Sequence, residues 1–180
     1  MTTFSELPLS SALQRKLAAA QFTNLTPIQQ RTIPPALQGR DVIGTAQTGT
    51  GKTLAFLIPL IQALDREPAH STVALVLLPT RELAMQVHEQ YEQLRTKRIS
   101  KAALIIGGVS ETAQIQSLRA GSHLVIATPG RLQDLMNRKF ADLHDVKMLV
   151  LDEADRMLDM GFLPAIRRIL SALPGQRQTL

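Results

Sequence analysis

The segment Ala46-Gln47-Thr48-Gly49-Thr50-Gly51-Lys52-Thr53 joins glycines to a lysine and a hydroxyl in an order suited to gripping a polyphosphate. Glycines let backbone N–H groups approach phosphate oxygens, the lysine supplies a mobile positive charge, and the threonine hydroxyl can ligate Mg²⁺. Farther along, the apolar run Met148-Leu149-Val150-Leu151 ends in Asp152-Glu153-Ala154-Asp155. An acidic pair at the end of a buried strand supplies what the loop lacks. One carboxylate can hold the metal and the other can position or deprotonate the attacking water, because phosphoryl transfer depends mostly on placement and charge neutralisation. In this order the two segments predict an ATPase site.

Such a site needs a rigid sheet beneath it. Aliphatic or β-branched runs recur at 41–44, 73–78, 102–106, 123–127 and 147–151, each separated from the next by a helical stretch. The runs are continuously apolar, as in strands covered on both faces, and their alternation with helices predicts βαβ crossovers and a parallel sheet. The expected fold class is α/β, with three layers. Strand ends in such sheets point toward ligands, and the motifs described here fall just after these runs. Thr128 is expected to cap a helix with Pro129 at its first position, and Ser110 to cap a segment closing at Gly121. Pro59 should kink or end the helix after the phosphate loop, and 64–71, with Pro68, reads as a loop. The terminal 176–180 looks like the start of another strand, which suggests a fragment of a longer protein.

At 180 residues the chain fits one domain of ordinary size. Hydrophobic residues make up 44%, which excludes a wholly disordered chain, and the longest apolar stretch, 54–61, is far too short to span a bilayer. Residues 1–4 show neither the basic nor the apolar region of a secretory signal. There is no cysteine, which removes disulfides and thiolate metal sites and fits a reducing cytoplasm. The histidines His70, His88, His123 and His144 are scattered without metal-ligand spacing and read as ordinary surface or satisfied residues. Twenty Lys and Arg against fifteen Asp and Glu give a formal charge of +5, favouring polyanionic partners. Aromatics are only 3%, with no Trp and one Tyr, so a nucleic-acid grip is expected on the backbone rather than by base stacking.

Beside the two ATPase motifs stand Phe22-Thr23-Asn24-Leu25-Thr26-Pro27-Ile28-Gln29, Pro79-Thr80-Arg81-Glu82-Leu83, Gly107-Gly108 and Thr128-Pro129-Gly130-Arg131. In this order they closely resemble the N-terminal RecA-like domain of DEAD-box ATP-dependent RNA helicases, over essentially the whole chain from residue 4 to residue 180. Segments such as Asp159-Met160-Gly161-Phe162 look similar to bacterial members of the RhlE type. Gln21, where the family usually has Gly, and Leu25, where Pro is common, are departures that touch the local turn.

The resemblance implies a RecA-like P-loop fold: a Q-motif region over 1–38 packed on an ATP-binding domain over 39–180, with a second RecA-like domain elsewhere in the full-length protein. The first segment looks like the family's Q motif, with Gln29 on the adenine edge, Phe22 on its ring, Thr26 beside them, and Phe4 as the isolated upstream aromatic. The resemblance further implies that ATP is held by Ala46, Gln47, Thr48, Gly49, Thr50, Gly51, Lys52 and Thr53. Lys52 would reach the β- and γ-phosphates, Thr53 and Asp152 would hold Mg²⁺ partly through water, and Glu153 would act as general base. Asp155 would face the second domain. Pro79, Thr80, Arg81, Gly107, Gly108, Thr128, Pro129, Gly130 and Arg131 would bind single-stranded RNA along its backbone, without regard to sequence.

Two rivals stand beside this reading. A DNA helicase or translocase of the same superfamily is opposed by the Q-motif residues and the D-E-A-D spelling. A nucleotide-dependent RNA clamp without turnover is opposed, for the full-length protein, by the intact Lys52 and Glu153.

Overall fold

Continuous apolar stretches fold as the buried strands Ala74–Leu77 (β1), Ala103–Ile105 (β2), Leu124–Ala127 (β3) and Met148–Leu151 (β4), with Gln178–Thr179 (β5) at one edge. A computed structural model describes residues 3–47, 49–67 and 71–180. The strands form a single parallel sheet in the order β2-β3-β1-β4-β5. In register, Leu75 lies between Val125 and Leu149, and Leu77 between Ala127 and Leu151.

After a 3-10 turn at Phe4–Glu6, the helices are α1 (Ser11–Ala19), α2 (Pro27–Leu37), α3 (Lys52–Leu64), α4 (Arg81–Leu94), α5 (Glu111–Arg119), α6 (Pro129–Asn137), α7 (Ala154–Asp159) and α8 (Leu163–Ala172). Alternate strand residues feed the two faces. Ala74, Val76, Leu124, Ile126, Met148 and Val150 share a core with Leu57, Ile61, Tyr91 and Leu94 of α3 and α4. Leu75, Leu77, Val125, Ala127 and Leu149 pack with Leu132, Leu135, Met157 and Ile169 of α6, α7 and α8. This is the three-layer α/β fold expected from the sequence. Among the described residues no helix is long and apolar enough to cross a membrane.

Several expectations are corrected. The run 41–44 is not a strand: Val42 N–H donates to Thr179 O at 3.1 Å and Thr179 N–H to the Asp41 carboxylate at 2.7 Å, but β5 is two residues long and offers no ladder to extend. Pro59 does not end α3, which continues to Leu64. The helix is buried almost all round, and that packing outweighs the roughly 3 kcal/mol a proline costs an isolated helix interior. Ser110 and Thr128 occupy cap positions, yet neither side chain makes a cap bond. Within the expected loop 64–71, α3 ends at Leu64, and Pro68 and His70 lie outside the described residues.

Of the remaining histidines, His123 is fully buried, accepting at Nδ1 from Ser100 N–H and donating its own N–H to Ser100 Oγ. His144 is exposed beside Asp142 and Asp145.

Candidate functional site

The phosphate loop is shaped by two left-handed glycines. Gly49 has φ 84° and Gly51 φ 92°, values that glycine adopts without a Cβ penalty. Between them the Thr50 hydroxyl donates to Gln47 O at 2.6 Å. Gly51 then opens α3, so the orphan N–H groups of its first turn face the loop. The carbonyl of Gly51 receives Ala55 N–H at 3.2 Å and also the side-chain amide of Gln29 at 3.0 Å. A Cβ on Gly51 would collide with that amide. Thr48 lies outside the described residues.

Gln29 is only 2% exposed. Its Oε1 accepts from Thr26 N–H at 2.9 Å, a contact that caps α2 and fixes the amide's orientation. The Thr26 hydroxyl is buried without a partner. An amide keeps one further N–H and one further lone pair after two such bonds.

Phe22 is set by the end of α1. Gln21 N–H donates to Ala18 O and Phe22 N–H to Leu17 O, each at 3.0 Å, a Schellman closure that requires Gln21 to be left-handed. Gln21 accordingly has φ 61°. The turn survives the departure from glycine noted in the sequence, at a conformational cost. Phe22 is half-buried and meets the buried Phe4 edge-on, ring centroids 6.4 Å apart. Phe4 is held by its N–H to Thr23 O at 3.0 Å, and so acts as a buttress behind Phe22.

At the end of β4, Asp152 N–H donates to Leu77 O at 3.1 Å. Burial pushes the Asp152 carboxyl above its ordinary pKa, Lys52 opposes this, and Glu153 adds to it. Glu153 has φ 53° and ψ 47°, a left-handed geometry that costs a non-glycine residue about 1–3 kcal/mol and clusters at functional sites. Its carboxylate accepts from Arg156 at 3.0 Å.

These pieces share one cleft of about 480 Å³, lined by Phe4, Phe22, Thr26 and Gln29 on one side and by Gly49, Gly51, Lys52, Thr53, Asp152 and Glu153 on the other. Its size falls within the range of small-molecule sites. Ala46, Gln47 and Thr50 shape the loop without lining the cleft. Asn24 and Leu83, which lie within the quoted motifs but carry no expected role, and Leu54, Gln86 and Gln90, which lie outside them, also line it. The spacing of Gln86 and Gln90, one helical turn apart on α4, was the available signal.

Among the described residues no three His, Cys, Asp or Glu side chains gather as a metal cage. The hard oxygen donors bordering the cleft include the Thr53 hydroxyl and the Asp152 and Glu153 carboxylates. That sparse set fits Mg²⁺, which is commonly bound through one or two carboxylates with substrate phosphates and waters.

A second, shallower groove of about 410 Å³ runs along the adjoining strand ends. It is lined by Pro79, Thr80, Arg81, Gly107, Thr128, Gly130 and Arg131, with the acidic Glu82 and the apolar Met160 and Phe162 completing its wall. The Thr80 hydroxyl caps α4 by accepting from Leu83 N–H at 3.3 Å. Arg81 donates to Gly107 O at 2.9 Å, and a Cβ on Gly108, which has φ 75°, would collide with the Arg81 guanidinium. Thr128 gives no side-chain cap and Pro129 has no N–H, so the first-turn N–H groups of Gly130 and Arg131, two residues that line the groove, have no intrahelical partner. Pro129 itself is buried, Gly108 does not line the groove, and Asp155 is exposed on α7 and lines neither cleft.

The two arginines differ. Arg131 pairs with Glu111 at 2.8 Å and Asp134 at 3.1 Å, and Arg138 pairs with the same two carboxylates. Hydrogen bonds from Arg138 and Arg131 hold the Glu111 carboxyl down to about 2. The charge of Arg131 is thus largely answered within the fold, whereas Arg81 spends one donor on a neutral carbonyl.

Comparison with known proteins gives consistent relatives. Residues 26–180 match the family described as DEAD/DEAH box helicase. The chain is 49% identical over 177 residues to the DEAD-box ATP-dependent RNA helicase CshA of Streptococcus pneumoniae, covering 98% of this chain and 34% of that protein. It is 44% identical over 180 residues to the ATP-dependent RNA helicase CshA of Listeria monocytogenes, covering 100% of this chain and 34% of that one. A crystal structure of a DEAD box protein from the hyperthermophile Methanococcus jannaschii superposes with a TM-score of 0.92 at 37% identity, covering all of this chain and 49% of that one. The chain spans about a third of the length of the curated relatives it matches.

Proposed function

The chain belongs to the DEAD/DEAH box helicase family, and we propose that it is the nucleotide-binding, N-terminal RecA-like part of an ATP-dependent RNA helicase that works in the cytoplasm. In this reading residues 1–38 form the base-recognising region and residues 39–180 the phosphate-binding domain. The observation that carries it is the single cleft in which Phe22 and Gln29 face Lys52, Thr53, Asp152 and Glu153.

The adenine ring would lie on Phe22, backed by Phe4. The remaining N–H and lone pair of Gln29 match adenine N7 and N6 together, while the O6 of guanine would meet an acceptor. Lys52 and the first-turn N–H groups of α3 would hold the β- and γ-phosphates. Thr53 and Asp152 would hold Mg²⁺, which when bound would supply positive charge against the phosphates. Glu153, fixed by its left-handed backbone and by Arg156, would orient and deprotonate the attacking water.

Along the neighbouring groove, Arg81 and the open N–H groups of Gly130 and Arg131 would meet successive RNA phosphates, which fixes the strand without reading its sequence. A second RecA-like domain, faced by Asp155, would complete the ATP site and couple hydrolysis to strand separation.

The experiment is Glu153→Gln in the full-length protein. ATP and RNA should still bind, with hydrolysis and duplex unwinding lost. Multiple turnovers by that variant would overturn the reading.

A further inference from the structure

Gln114 of α5 is 4% exposed and is absorbed by none of the roles above. Its Nε2 donates to Ile106 O at 3.0 Å, with longer contacts to Ser110 O at 3.4 Å and Val109 O at 3.5 Å. Its Oε1 accepts from Arg131 Nε at 3.5 Å. Only this amide orientation satisfies both sides, because the flipped group would set oxygen against carbonyls and N–H against a guanidinium.

The surroundings give the contact its meaning. Ile106 is the last residue before the Gly107-Gly108 turn, which Arg81 also holds through Gly107 O. Arg131 belongs to the first turn of α6, whose entry is pinned by Thr128 N–H donating to Ile105 O at 3.0 Å. One buried amide therefore links the backbone just before the turn to the Arg131 side chain at the start of α6. Charge alone does not tie them, since Glu111 and Asp134 anchor Arg131 to α5 and α6 but touch no atom of the turn.

We propose that Gln114 is a positioning residue for RNA binding: without touching RNA, it fixes the spacing between the Gly107-Gly108 turn and the start of α6. This rests on the assignment of the groove to RNA. It requires an uncharged side chain that donates on one face and accepts on the other. Glutamate would present oxygen to three carbonyls, and methionine would leave both sides unpaired.

The test compares the unsubstituted chain with Gln114→Met and Gln114→Glu, titrating each with a fluorescein-labelled single-stranded oligouridylate at low salt and, separately, with Mg²⁺·ATP. Thermal unfolding and backbone amide exchange at 106–110 and 128–132 are followed in parallel. Both variants should bind the oligonucleotide about tenfold more weakly, the scale of one hydrogen bond. ATP affinity should stay within about twofold, a shift small against that tenfold scale. Exchange should rise at the turn in both variants, and at the start of α6 more in Gln114→Met, since glutamate still accepts from Arg131.

Unchanged RNA affinity in either folded variant, or an equal loss of ATP affinity, would overturn the proposal. Failure of the unsubstituted chain to bind the oligonucleotide would instead overturn the assignment of the groove. Should Gln114→Met not fold, Gln114→Glu alone decides by the same readings.

Discussion

The side-chain amide of Gln29 donates to the carbonyl of Gly51 across 3.0 Å, joining the start of α2 to the residue that opens α3. The segment around Gln29 and the glycine loop at 49–51 are thereby one mechanical unit. Its tightness leaves no room for a side chain at Gly51, where a Cβ would meet the Gln29 amide.

Gly51→Ala should therefore damage both halves of the cleft. The left-handed backbone alone costs a non-glycine residue about 1–2 kcal/mol, and the collision adds to it. ATP affinity should fall by about tenfold or more, the equivalent of 1.4 kcal/mol or above, with a lower unfolding temperature. Calorimetric titration and a thermal melt check this; an alanine variant with unchanged ATP affinity would show that the loop does not need this approach.

At Gln21 the direction reverses. Its φ of 61° suits glycine, so Gln21→Gly should relieve about 1–2 kcal/mol of backbone penalty while adding about 0.5–1 kcal/mol of unfolded-state entropy. The net gain should raise Tm by roughly 1–4 °C. A melt in which the glycine variant unfolds earlier would contradict the assignment of strain to this turn.

The Glu111 network carries a pH signature. The folded-state pKa of Glu111, about 2, lies below its ordinary 4.5, so its pairing with Arg138 and Arg131 stabilises the fold fully above pH 4.5 and loses that contribution as pH falls toward 2. The stability difference between the unsubstituted chain and Glu111→Gln should shrink over that window. A carboxyl-resolved NMR titration of Glu111 with its midpoint near 4.5 would contradict the pairing.

Arg81 is the more exposed phosphate candidate. Arg81→Ala should weaken oligonucleotide binding uniformly across sequences and reduce the slope of log affinity against log salt by about 1. Binding measured at several salt concentrations decides it. An unchanged slope would mean that Arg81 serves only to hold the Gly107 carbonyl.

Much of this arrangement is legible in the sequence, because β1 to β4 are continuous apolar runs and the chemistry follows directly at their ends. Asp152 follows β4 directly, Thr80 stands three residues after the end of β1, and Thr128 follows β3 directly. What is hidden depends on partners distant in the chain. The run 41–44 has strand composition, but its neighbour β5 is too short to pair with it. Pro59 reads as a helix breaker because its burial within α3 is a tertiary fact. Arg131 reads as a free cation because Glu111 is brought to it only by the α5–β3–α6 path. Gln114 has no motif around it, and its role comes from two backbone segments that meet only in the fold.

On the proposed reading the cleft between Gln29 and Lys52 selects adenine nucleotides, which titration calorimetry of the chain with Mg²⁺·ATP and Mg²⁺·GTP can decide. ATP should bind more tightly than GTP, and Gln29→Ala should cost ATP binding about 1–3 kcal/mol, as for other bidentate base contacts, while narrowing the gap between the two nucleotides. Equal affinity for ATP and GTP in the unsubstituted chain would contradict the account.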